Sequence, residues 1–175
     1  MIGAIAIVAA WFYTGGKRPY GYKGLGEISV FIFFGLVATL GTYYTESGKL
    51  TLWALALAVE MGFLSCAILA VNNLRDLPKD ALVGKHTLAV RLGDKRARQF
   101  LITLIIFPLL IQCAFIYITN LALLSLLVIP SVVKIIRTIR GGAVNAELIP
   151  ALGAVAKLQS SLTLWIVIAL VLGRP

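Results

Sequence analysis

Four stretches of this chain, Ile28–Tyr44, Leu52–Val71, Phe100–Thr119 and Leu158–Leu172, are long apolar runs. A fifth, Leu121–Val133, is shorter, with Lys134 and Arg137 in its last turns. A helix rises ~1.5 Å per residue, so roughly 20 apolar residues cross a hydrocarbon core about 30 Å thick. A sixth run, Ile2–Tyr13, reaches only ~20 Å at that rise. A secretory signal would carry a basic segment before it and a small-residue cleavage site after it, and neither is present. The expectation is a chain that begins partway through a helix. Composition agrees with a membrane protein: 60% of the 175 residues are hydrophobic and 13% charged. Disordered chains and coiled coils need far more charge, and a disulfide scaffold needs more than two cysteines. The expected fold class is all-α, a multi-pass transmembrane helical bundle of six helices forming one domain over residues 1–175.

Charge sets the orientation. The net charge is +9, and all the Lys and Arg residues except Lys49 and Arg174 fall in three polar segments at about 14–27, 72–99 and 134–157. These alternate with the Glu46–Lys49 turn, which holds one cation, and the Thr119–Asn120 turn, which holds none. By the positive-inside rule the three basic segments are expected to be cytoplasmic and both chain ends outside. Basic segments beside a bilayer are attracted to anionic headgroups, so the charge calls for no nucleic-acid partner. Cys66 and Cys113 sit in apolar helices and are expected to be buried, unpaired thiols, while His86 is the only histidine and rules out a His cluster.

Two segments carry chemistry. In the first, Asn72, Asp76 and Asp80 are spaced four apart and would share one helix face. Pro78 is expected to break that helix, since proline removes a backbone hydrogen bond. Hard oxygen ligands of this kind suit Mg²⁺, which is held by one or two carboxylates plus substrate phosphates. The neighbouring Arg75, Lys79, Lys85 and Arg91 suit phosphate oxygens. Spacing alone describes a solvated loop of mutually paired charges equally well. The second segment runs from Tyr13 to Glu27 and holds five glycines, three tyrosines, Lys17, Arg18 and Lys23, a composition that permits close backbone approach to a ligand. Its other reading is an interfacial loop anchored by tyrosines, as Tyr43 and Tyr44 are expected to be. Glu60, at mid-helix, is ~24 Å from Asp76 and is expected to be an interior hydrogen-bonded carboxyl rather than a metal ligand. Lys157 is expected to snorkel.

Together, NNLRDLPKDALVGKHTLAVRLG and YTGGKRPYGYKGLGE resemble the second aspartate-rich motif and the preceding cytoplasmic loop of UbiA-type intramembrane prenyltransferases. Within them the chain is similar to the 1,4-dihydroxy-2-naphthoate polyprenyltransferase branch, and Tyr13 and Lys17 match the family's YxxxK element. The resemblance implies nine helices around a cavity in the bacterial cell (inner) membrane. It implies Mg²⁺ held by Asp76 and Asp80 with Asn72 beside them, and Lys17 on the diphosphate. Tyr13 would lie near the reacting centre. Charge and location add Arg18, Arg75, Lys85 and Arg91 as diphosphate contacts. The implied reaction transfers a polyprenyl group from polyprenyl diphosphate to 1,4-dihydroxy-2-naphthoate with loss of the carboxylate, giving demethylmenaquinone. Alternatives are another aromatic acceptor such as 4-hydroxybenzoate, or a catalytically dead membrane protein or transporter. The family's first aspartate-rich motif is absent, since Asp76, Asp80 and Asp94 are the only aspartates. The six helices therefore match the family's fourth to ninth, and these residues alone are expected to be inactive.

Overall fold

The computed structural model describes residues 1–17 and 19–173. They form six helices, the first two joined by a longer segment with a 3-10 turn over Tyr20–Lys23 and the rest by short turns, with no strand among the described residues: α1 Ile2–Thr14, α2 Gly26–Ser47, α3 Leu52–Leu82, α4 Leu88–Tyr117, α5 Asn120–Arg140 and α6 Asn145–Leu172. The last five are long and apolar enough to cross a membrane, whereas α1 is shorter and buries no residue. Threonines start three of them: Thr51, Thr87 and Thr119 each accept a backbone N–H from the first turn of α3, α4 and α5.

α3 is the axis of the bundle, packed against α2, α4 and α6. Leu64, Ala67, Val71, Leu101, Ile105, Ile135, Val155 and Leu162 are all but fully buried around it. At ~1.5 Å per residue its 31 residues reach ~46 Å, well beyond a core of about 30 Å. Its polar end, from Asn72 onward, therefore projects past the apolar layer.

The expected break at Pro78 does not occur: α3 continues through it to Leu82. A single backbone bond is lost so close to the helix end. Leu74 and Asp80, on either side, are both buried against the bundle, and the end is closed by Val83 N–H to Lys79 O and Lys85 N–H to Asp80 O. The polar segment 72–99 is accordingly two helix ends with a turn over 83–87, and 134–157 likewise reduces to a turn over 141–144. The fourth and fifth helices are joined by a buried Arg98, which donates to Ile139 O and Ala143 O and pairs with Asp94. Arg98 thus satisfies carbonyls at the end of α5 and is spent on structure.

Two interior features hold the register. Nine residues into α3, Glu60 is fully buried and accepts a hydrogen bond from Gln112 Nε2 at 2.7 Å, as an interior carboxyl must. Between α2 and α3, Gly35 lies so close to Gly62 that a Cβ on Gly35 would stand 2.5 Å from the Gly62 Cα. This stretch of α2, Phe31–Leu40, is wound as a π-helix. Cys66 is buried, and Cys113, expected in the interior, faces outward; both are free thiols.

Candidate functional site

Because α3 is unbroken, Asn72, Asp76 and Asp80 rise along its projecting end at one-turn intervals. Their surroundings differ. Asp76 is half-exposed and receives both Arg75 Nε, at 2.8 Å, and a second guanidinium nitrogen, at 2.7 Å. These hydrogen bonds and the charges of Arg75, Lys85 and Lys79 hold its carboxyl below the usual carboxylate range. Asp80 is buried, and Lys85 Nζ donates to its Oδ1 at 3.2 Å. The same ammonium lies 3.1 Å from Oδ2 but outside hydrogen-bonding geometry, so Oδ2 stays buried without a hydrogen bond among the described residues. Asn72 Oδ1 is in the same position. Two carboxylates and an amide oxygen are the donor set a hard divalent cation takes, with Asn72 Oδ1 left without a partner among the described residues and Asp80 Oδ2 held only by the charge of Lys85. Among the described residues there is no cluster of three or more His, Cys, Asp or Glu, so these residues by themselves offer only part of a cage.

An open cavity of about 430 Å³ borders Arg75, Asp76 and Lys79 and is closed on the far side by Asn145, Ala146 and Ile149 at the head of α6. Asn145 sits there with φ +48. Nothing in the spacing of the motif pointed to this wall. It is supplied by a helix that begins 65 residues beyond Asp80 in the chain.

The two segments singled out in the sequence meet. Lys85, while bonded to Asp80, stands 5.3 Å from the centroid of the Tyr22 ring. The side chain of Arg91 lies against Gly24 and donates to His86 O at 3.3 Å. A Cβ on Gly24 would come within 3.0 Å of that side chain, and its φ of +74 favours glycine on its own account. Tyr13 is half-buried, edge-on to Tyr20 at 5.5 Å, with its hydroxyl beside Gly26 at the head of α2. Lys17 is exposed and makes no hydrogen bond or ion pair among the described residues. Arg18 lies outside the described residues.

One further pair belongs to this region. Glu27 is 6% exposed, and its Oε1 accepts from Asn73 Nδ2 at 2.9 Å, which ties the glycine-rich segment to α3 one residue from Asn72. Cys66 donates to the Glu27 carbonyl at 3.0 Å. The signal was an acidic residue opening an apolar helix, where a carboxylate needs a dedicated partner.

Comparison with known proteins follows the same outline. Residues 1–142 match the UbiA prenyltransferase family. The 1,4-dihydroxy-2-naphthoate octaprenyltransferase of Mycobacterium tuberculosis is 45% identical over 151 residues, covering 86% of this chain and 52% of that one. A protein of the same description from Haemophilus influenzae is 50% identical over 99 residues, 57% of this chain and 32% of its own. Human UbiA prenyltransferase domain-containing protein 1 is 31% identical over 137 residues, covering 78% of this chain and 40% of its own. The chain thus spans about half the length of the mycobacterial relative. No solved structure matches it.

Proposed function

This chain belongs to the UbiA prenyltransferase family, and on that premise we propose that it forms the diphosphate-binding half of a site that prenylates 1,4-dihydroxy-2-naphthoate in menaquinone biosynthesis. The observation that carries the reading is the junction of its two motifs, where Lys85 bridges Asp80, one helical turn beyond Asp76, and the Tyr22 face. The description shared by its bacterial relatives supplies the acceptor.

In this reading Asp76, Asp80 and Asn72 would hold Mg²⁺, and the ion would supply positive charge to offset that of the departing diphosphate. Arg75, Lys79, Lys85 and Arg91 surround the phosphates, Arg through paired N–H donors and Lys as point charges, with Lys17 and Arg18 entering from the glycine-rich segment. The Arg75–Asp76 pair can be exchanged for such a ligand at small cost. Both partners are about a third exposed, and a surface pair of this kind contributes only about 0.2–1 kcal/mol. The C–O bond of the prenyl diphosphate breaks with its electron pair on the diphosphate. The allylic cation then joins the naphthoate carbon that carries the carboxylate, and CO₂ leaves as ring aromaticity returns. The product is demethylmenaquinone in its quinol form. Tyr13 presents a ring face to the cation. Exclusion of water by the surrounding apolar helices protects the cation from hydrolysis. No nucleophilic side chain takes part.

The full-length protein in detergent, given Mg²⁺, a polyprenyl diphosphate and 1,4-dihydroxy-2-naphthoate, is expected to release CO₂ and form the prenylated naphthoquinol, and EDTA is expected to abolish both. A product with 4-hydroxybenzoate but none with the naphthoate would overturn the acceptor. No product with either would end the transferase reading.

The reading also places the aspartates on the cytoplasmic side of the cell (inner) membrane, following the basic segments. With Lys95→Cys and Gly48→Cys, both exposed positions, an impermeant thiol reagent outside intact cells should label the Gly48 variant and spare the Lys95 variant. The opposite pattern would invert the topology.

A further inference from the structure

We propose that the groove between α5 and α6 is a binding site for one anionic phospholipid, separate from the aspartate cavity. Ser131, Lys134 and Thr138 line it from α5, and Ala154, Lys157 and Ser161 line it from α6. Each set is spaced i, i+3, i+7, so each forms a single stripe along its helix. The two stripes face one another across a cavity of about 280 Å³ whose floor is Ile135 and Leu158.

Charge makes this groove unusual. It holds two ammonium groups and no carboxylate among its lining residues. The ion pairs of the described residues lie elsewhere, on Arg75, Lys85 and Arg98, and neither Lys134 nor Lys157 forms one. Like charges facing one low-dielectric cavity repel, and an anion between them reverses the sign of the interaction. The hydroxyls of Ser131 and Ser161 make no hydrogen bond with a described residue and are available as donors, whereas Thr138 donates to its own helix at Lys134 O. Two ammoniums and two hydroxyls complement the oxygens of a phosphodiester.

Depth and lining select a lipid over a free anion. Lys134 is six residues, roughly 9 Å, before the end of α5, within a lysine's reach of the headgroup layer. The apolar floor of Ile135 and Leu158, with Val128 beside it, suits the start of an acyl chain, and a basic pocket between transmembrane helices is a form of headgroup site. The groove shares no lining residue with the cavity at Asp76. It lies in the leaflet at the aspartate end, since α5 runs toward the turn from which the head of α6 reaches Asp76.

Thermal unfolding of the full-length protein in neutral detergent tests this. Phosphatidylglycerol at saturation is expected to raise Tm by roughly 5–10 °C by binding linkage, whereas phosphatidylcholine and inorganic phosphate leave it unchanged. Lys134→Gln with Lys157→Gln should lose the shift and keep the phosphatidylcholine baseline, and Lys134→Arg with Lys157→Arg should keep the shift. Lys95→Gln with Arg96→Gln removes equal charge at exposed positions of α4 and should also keep it. The proposal falls if the double Gln variant responds like the wild type, if the α4 control loses the shift equally, or if phosphate alone produces it. It falls too if a polyprenyl diphosphate displaces the phosphatidylglycerol, which would make the groove part of the substrate site. Should the Gln variant fail to fold, native mass spectrometry of the wild type decides. One retained phosphatidylglycerol after delipidation supports the site, and none overturns it.

Discussion

Asp80→Asn in the full-length enzyme is expected to lower kcat at least about 10³-fold, which corresponds to ~4 kcal/mol of lost transition-state stabilisation. The side chain keeps its shape and loses only its charge, so the fold should survive, and an unaltered elution volume and helical circular dichroism would verify that. Asp76→Asn should act similarly. Arg75→Gln, by contrast, should chiefly raise the KM for the prenyl diphosphate, because it removes a phosphate contact and leaves the carboxylates in place. The split between kcat and KM separates the two roles. Turnover within a few-fold of wild type for both aspartate variants would remove these residues from catalysis and return them to the reading in which each carboxylate merely pairs with its neighbouring cation.

Gly35→Ala is expected to be the most damaging single-methyl addition at the α2–α3 contact. The new Cβ would stand 2.5 Å from the Gly62 Cα and 2.8 Å from its nitrogen, and both are backbone atoms that cannot rotate aside. α2 must move away from α3, an overpacking cost of about 1–3 kcal/mol that outweighs the ~1 kcal/mol alanine adds to a helix. Gly62→Ala meets the Phe31 ring first, at 2.7 Å, and should cost less because the ring can turn. Gly153→Ala, with nothing within 4 Å, should be neutral or slightly stabilising. Thermal unfolding of the three variants in detergent should rank them in that order, and an unperturbed Gly35→Ala variant would show that small residues do not set the α2–α3 distance.

Much of this protein was legible in the chain. Apolar run length located the five long helices and the shorter first one, since the cost of burying an unpaired backbone leaves a membrane segment little choice but a helix. The i, i+4 spacing put Asn72, Asp76 and Asp80 on one helix, and the interior Glu60 was recognisable as a carboxyl that must find a donor. Helix ends were less legible. The pattern rule for Pro78 failed because a local backbone penalty of a few kcal/mol was set against burial of Leu74 and Asp80 on either side, and that burial depends on residues far away in the chain.

Local chemistry therefore determined which segments are helices and which carry oxygen and cation donors. Only the packed bundle decided the partners. It assigned Gln112 to Glu60, Asn73 to Glu27, Tyr22 to Lys85 and the head of α6 to Asp76. Periodicity reports the face of a helix, whereas a partner is specified by the rotation and offset of a second helix, and those follow from side-chain volumes and close glycine contacts summed over the whole interface.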